Sequence, residues 1–321
     1  MLLTRMKQLI RKHLLNNMAI KKSHIDIAIH KLNTQTEREL IQAYKQSLDS
    51  IRGQLGQVYA KYQTTGSLTY SEMSKYGRLN ALFDEINIQV KALTGRAASK
   101  IKGLEEKVYK RSYYGTAYNI ESKAQAKLRY SILNPKVIQA AIQNPVSGLT
   151  LNQILSRNRR DIITKLRQEI TQGLIKGEAY NKVAFRIKDV LEGDVAKARR
   201  LVRTESHRNQ SQAFLDSLKH AESFGVKTVK VWESTRDSKT RDSHASMDGQ
   251  KVAIDENFKF VSGDNAGQEV SAPGLSGIVE EDINCRCVVR EEIVGYEPGI
   301  KDSAKGQIPD NYDDWAEHKN I

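Results

Sequence analysis

Over the first 220 residues the apolar positions recur at helical spacing. From Ile41 they fall at Tyr44, Leu48, Ile51, Leu55, Val58 and Tyr62, in alternating steps of three and four. That rhythm puts them on one stripe of a helix, as in the seam of a coiled coil. Thr34 or Thr36 is the candidate N-cap, and the TTGS at 64–67 is the stop. A second series runs through Tyr76, Leu79, Phe83, Ile86, Val90 and Leu93, slips near Gly95, and resumes at Ile101, Leu104 and Val108. Two long helices joined by a short connection fold back most simply as an antiparallel hairpin. Gly53 and Gly56 interrupt the first helix, each costing about 1 kcal/mol relative to Ala unless it admits a close helix contact.

Further on, Pro135 and Pro145 bracket a short helix, PKVIQAAIQNP. After a loop at 146–150, LNQILSRNRRDIITKLRQEITQGLIKG is amphipathic and ends at a glycine. NKVAFRIKDVL reads as another helix, with Gly193 or Asp194 opening the next, which runs to Gly225. There the period changes. VKTVKVWES is β-branched and short, which predicts a strand, and CRCVVREEIV at 285–294 predicts a second. Polar, glycine-containing loops separate them. From Pro298 the chain is polar and expected to be extended or disordered, with NYDDWAEH as a candidate docking segment. The expected class is α+β. A helical, coiled-coil-like region spans 1–149, a mixed domain 150–294 and a polar tail 295–321.

Composition narrows the function. Residues 1–200 hold 36 Lys and Arg against 16 Asp and Glu, a net +20, whereas 201–321 hold 15 against 22, a net −7. A basic helical region suits double-stranded DNA, an anionic lipid surface or an acidic protein partner; it equally suits a solvated helical surface. No run of about 18 apolar residues is present, so no membrane span is expected. The opening MLLTRMKQLIRKHLLNNMAI mixes leucines with Arg5, Lys7, Arg11 and Lys12, which reads as an amphipathic helix rather than an export signal. With only two cysteines and no such signal, a disulfide-stapled secreted scaffold is not expected.

Both cysteines lie in DINCRC, Asp282 to Cys287. Upstream, WESTRDSKTRDSHASMDGQKV carries His244 and Asp248, and two strands flanking the intervening loop would bring the ends together. His244, Asp248, Cys285 and Cys287 are zinc-ligand types. Adjacent-but-one cysteines on an extended strand face the same side, with Arg286 facing away. Without metal, the same groups would form a hydrogen-bonded clasp, with His244 bonded to Asp242 or Asp248 and Arg286 paired with Glu205.

The ordered set Arg203-Thr204-Glu205, Trp232, Thr240-Arg241, His244, Asp248-Gly249 and Asn284-Cys285-Arg286-Cys287 resembles the head morphogenesis domain of the Mu F-like minor head proteins of tailed phages. The likeness covers about residues 150–292. Family members often carry His-Pro directly before the N-C-R-C; here Asp282 and Ile283 stand there, which shifts a fourth zinc ligand to Asp248 or Asp282. The resemblance implies a virion protein that meets the portal protein and other head or scaffold proteins during assembly in the host cytoplasm. It would then lie inside the capsid at the portal vertex, or leave with the DNA. Two enzymatic alternatives stand beside it. Arg203-Thr204-Glu205 ahead of strands suggests an ADP-ribosyltransferase-like activity, and His244 with two cysteines suggests a zinc hydrolase or nuclease.

Overall fold

The computed structural model describes residues 23–143, 149–296, 304–305 and 307–321. The amphipathic segment expected at 1–20 lies outside the described residues, as does most of the expected loop at 146–150. The chain divides into two compact units, Asn33–Leu104 with Gly148–Val202, and Met1–Leu32 with Glu105–Ser147 and Arg203–Ile321. One boundary falls at Ser147/Gly148, beside the expected one at 149, none falls near 294, and the units are discontinuous in sequence. The reason is that three helices, α1 (His24–Tyr62), α3 (Arg78–Ala124) and α6 (Tyr180–Ser223), each supply residues to both units.

In the first of these units, the 33–62 part of α1 and the 78–104 part of α3 run antiparallel. Lys100 Nζ lies 2.7 Å from Glu39 Oε2, and Arg96 donates to Ser47 Oγ at 3.1 Å. The connection turns where Thr65 and Gly66 both take positive φ and Thr64 bridges Ser67. It then passes through the short helix α2 (Tyr70–Ser74), capped by Thr69. A single 3-10 turn follows, in which Tyr76 has φ 53°. Tyr76 is therefore 91% exposed and does not extend the seam. The α3 series is otherwise as spaced, and Ala97 fills the gap at Gly95, so the helix runs through without a break.

The α1 seam is rotated from the expected one. Leu40, Tyr44, Ser47, Ile51, Leu55 and Tyr59 are buried, while Ile41 is 42% exposed. A helix packed on two neighbours centres its stripe between them. Arg52 donates to Ala184 O, Tyr59 to Glu178 O and Tyr44 to Asp194, all on the α6 side. Thr34 and Thr36 lie inside α1 rather than capping it. The start is instead held by Ser23 and Asp26, which exchange hydrogen bonds.

Helix α5 (Leu151–Ile175) begins at a capping box of Thr150 and Gln153. It stops where Gly177 turns to φ 60° and Glu178 N reaches back to Gly173 O. Helix α6 has no break at Gly193 or Asp194. Asp194 sits mid-helix, buried, and burial raises its pKa while Tyr44 donates to it. One glycine costs about 1 kcal/mol, too little to break a helix with partners on more than one side.

The other unit holds the strands. β2 (Val226–Glu233) is the centre of a three-stranded antiparallel sheet, between β3 (Lys251–Ala253) and β6 (Val288–Tyr296). Glu233 pairs with Val288 and Trp232 with Val289, with an irregularity between Lys227 and Thr228. Both sequence-predicted strands are present, although the second begins at Val288 rather than Cys285. Two further pairs are very short: β1 (Ala126–Lys127) with β7 (Ala304–Lys305), and β4 (Phe258–Lys259) with β5 (Glu269–Val270). Helix α4 (Pro135–Gln143) fills the proline-bracketed segment. The tail is not wholly extended: NYDDWAEH carries helix α9 (Tyr312–His318), and its Trp315 is buried. Among the described residues, no helix is long and apolar enough to cross a membrane.

Candidate metal centre

Two short helices bring the chemistry to the end of the sheet: α7 (Asp242–Ala245), in the loop after β2, and α8 (Val279–Asp282), just before the cysteines. Asn284 takes φ 55°, a conformation Asn tolerates better than most residues, and turns the chain into Cys285. From there Cys285 and Cys287 face inward and are buried, while Arg286 faces outward and pairs with Asp237 through Nη1 and Nη2. That pairing replaces the expected one with Glu205.

His244 Nδ1 lies 3.3 Å from Cys287 Sγ and 3.4 Å from Cys285 Sγ. These three donor atoms fall within 4.8 Å of one another, and all three residues are buried. On the other side of the ring, Nε2 lies 2.9 Å from Glu281 Oε2, although no aligned hydrogen bond forms. Glu281 is held by Ser243 Oγ at 3.0 Å and Asn265 Nδ2 at 2.9 Å. Burial works against its charge, but those bonds and the nearby His244 and Arg241 leave its pKa below the usual value.

The two thiols are unequal. Cys287 is shifted down, chiefly by the contact from Cys285 and also by His244 and a backbone N–H from Thr235. Cys285 is shifted up by the same partner and by burial. Cys287 is therefore the more acidic sulfur of the pair.

The expected fourth ligands lie elsewhere. Asp248 accepts from Ser234 N at 2.8 Å and Arg236 Nε at 2.7 Å. It shapes the turn in which Gly249, at φ 80°, donates to Trp232 O. Asp282 accepts from Ser276 N, Ser276 Oγ and Gly277 N and closes its own loop. Asp248 is held by a backbone amide and a guanidinium across its turn, and Asp282 by donors five and six residues before it. Nor does His244 bond Asp242 or Asp248; its carboxylate is Glu281.

The remaining motif residues build the frame. Trp232 stands edge-on to His244 at 5.4 Å and packs on Phe258 and Phe260. Thr240 bonds Asp237, and Arg241 Nη2 donates to Ile283 O, tying the α7 loop to the N-C-R-C. Arg203, Thr204 and Glu205 lie on α6. Glu205 is 2% exposed and accepts from Arg208, which also donates to Ala141 O and Ile142 O. Glu205 thus belongs to a buried tie between α6 and α4, with Thr204 buried beside it and Arg203 exposed. Sequence reasoning missed Glu281 and Arg208. Glu281 offered no signal beyond its place in VEED, and Arg208 stands one turn after Glu205, where an ion pair on a helix is readable.

A largely helical chain with one small mixed region, closed around a buried histidine and a Cys-x-Cys, is the class these features define. The profile of the family described as Phage Mu protein F like protein matches residues 164–290. The minor head protein GP7 of Bacillus phage SPP1 is 32% identical over 277 residues, 86% of this chain and 88% of that protein. The chain belongs to the phage Mu protein F-like family of minor head proteins. A protein of Enterococcus faecalis named NAD(+)–arginine ADP-ribosyltransferase EFV is 30% identical over 292 residues, 90% of this chain but 58% of that protein. The uncharacterized protein YqbB of Bacillus subtilis is 26% identical over 164 residues, 49% of this chain and 51% of its own length. No solved structure matches.

Proposed function

We propose that this protein is a minor structural component of a tailed phage head that docks at the portal vertex while the head assembles in the host cytoplasm, and stays inside the capsid. The observation that carries the reading is the similarity to a minor head protein along 86% of this chain and 88% of the other. The partners are the portal protein and other head or scaffold proteins. Mass spectrometry of purified procapsids and virions, with co-purification of the portal oligomer on the tagged protein, tests this. Absence from both particles would sink it.

DNA contact is the second part of the proposal. The unit formed by 33–104 and 148–202 holds 22 Lys and Arg against 12 Asp and Glu, a net +10, whereas the other holds 29 against 26. The basic excess therefore gathers on helices that carry no strand chemistry. Such a surface meets duplex DNA through phosphates, without sequence preference.

The role proposed is not enzymatic. Glu205, the acid of the Arg-Thr-Glu triplet, is buried and held by Arg208 rather than facing an open pocket. The purified protein, given NAD and an arginine acceptor, should release no nicotinamide above buffer; sustained release would overturn the non-enzymatic reading.

A further inference from the structure

We propose that His244 Nδ1, Cys285 Sγ and Cys287 Sγ hold one zinc ion with a solvent-derived fourth ligand, and that Glu281 is the carboxylate that orients the histidine. The inference stands on geometry and is independent of the head-assembly reading.

Zinc bonds of about 2.3 Å to sulfur and 2.0–2.1 Å to nitrogen, at tetrahedral angles, set neighbouring S and N donors about 3.5 Å apart. The observed separations are 3.3 and 3.4 Å. Both sulfurs reach the same nitrogen of one ring, and a single hydrogen bond does not require that. They do so because adjacent-but-one side chains of an extended segment share a face. The Glu281 carboxylate stands 2.9 Å from Nε2, on the side of the ring away from the sulfurs, where a ligating histidine commonly gives its other nitrogen to a carboxylate.

Two thiolates and a neutral imidazole cancel the charge of a zinc ion, which fits a buried site. Binding would release two thiol protons to solvent, with no oxidation.

No fourth His, Cys, Asp or Glu joins the group among the described residues. Trp232 Nε1, near the end of β2, and Thr235 Oγ1, two residues beyond that strand, are buried and lack hydrogen-bond partners. Either can serve a bound water. Asp248 and Asp282 are not counted as ligands because neither joins the group, and their oxygens are held by Ser234 N and Arg236 Nε, and by Ser276 and Gly277.

The test uses the full chain purified without a histidine tag. Elemental analysis should find about one zinc per chain. Cobalt exchanged into the site should show thiolate-to-cobalt charge transfer and the strong visible bands of a four-coordinate ion. Asp248→Asn and Asp282→Asn should keep the metal, and Glu281→Gln should weaken its retention against a chelator about 10- to 100-fold.

Cys285→Ser and Cys287→Ser should lose the metal. Because either variant can fail to fold, the cobalt spectrum of the unmodified chain is the deciding measurement. A metal-free protein whose two thiols titrate freely after denaturation overturns the proposal. So does a mass 2 Da lower, the mark of a Cys285–Cys287 disulfide, or loss of metal in Asp248→Asn equal to that in Cys285→Ser.

Discussion

The Trp315 indole donates through Nε1 to Glu121 Oε2 at 2.7 Å, joining the last helix of the chain to the end of α3. The same carboxylate accepts from Lys319 Nζ at 3.0 Å and Leu128 N at 2.6 Å, and Glu121 is fully buried. One acid thus satisfies an indole, an ammonium and a backbone amide. Glu121→Ala would leave all three without an acceptor, a loss of about 3–5 kcal/mol by analogy with other broken buried ion pairs. Glu121→Gln should cost less. Urea unfolding gives the magnitude, and hydrogen exchange should speed up in α9 before the sheet; unchanged exchange there would contradict the link.

Two helix glycines should respond oppositely to alanine. At Gly173 an added Cβ would stand 2.4 Å from Val183 Cγ2, a stiff branched side chain. The overpacking costs about 1–3 kcal/mol, so Gly173→Ala should destabilise despite its better helix propensity. At Gly53 an added Cβ meets nothing within 4 Å. Gly53→Ala should therefore stabilise by up to about 1 kcal/mol. Thermal melts of both variants check the signs, and Gly173→Ala combined with Val183→Ala should relieve part of the clash.

His207 makes stability depend on pH. Burial, and next the charge of His244, lower its pKa to about 4, with Asp26 acting in the opposite direction. An exposed imidazole titrates near 6.5, so between those values the unfolded chain binds the extra proton. Stability present above about pH 6.5 is therefore lost as pH falls toward 4, by as much as about 3 kcal/mol. His207→Gln should flatten part of that decline. Urea midpoints of both proteins at pH 7.5 and 5 test it, and parallel declines would refute it.

The basic unit should bind unrelated duplexes equally, with affinity falling steeply as salt rises. Reversing charge on α5 with Arg157→Glu and Arg160→Glu should weaken both duplexes alike and reduce the salt slope. A preference for one sequence, or indifference to salt, would count against phosphate contact.

Asp282→Ala should cost stability by freeing the 276–277 loop, about 1.5–3 kcal/mol for a lost set of charged hydrogen bonds. Asp248→Ala should loosen the Ser234–Arg236 turn in the same way. Denaturation midpoints measure both, and an unchanged midpoint would deny the clasp roles.

What the sequence determined by itself was periodic and local. The three-and-four steps of α3, the glycine stops at Gly177 and Gly225, and the period-two facing of Cys285 and Cys287 each depend on residues within a few positions. The motif order also marked His244 and both cysteines as one group. Tertiary structure decided the rest. Which stripe of α1 is buried depends on its having neighbours on two sides, so the seam passes through Leu40 and not Ile41. Whether α6 breaks at Gly193 depends on burial of Asp194 against Tyr44. Which acid faces His244 depends on how a loop of some forty residues closes between paired strand ends, with Glu233 opposite Val288. Asp248 and Asp282 stand in or beside the motif, yet Asp248 is captured by Ser234 N and Arg236 and Asp282 by Ser276 and Gly277. Glu281 is left to meet the imidazole because only the folded loop sets it there.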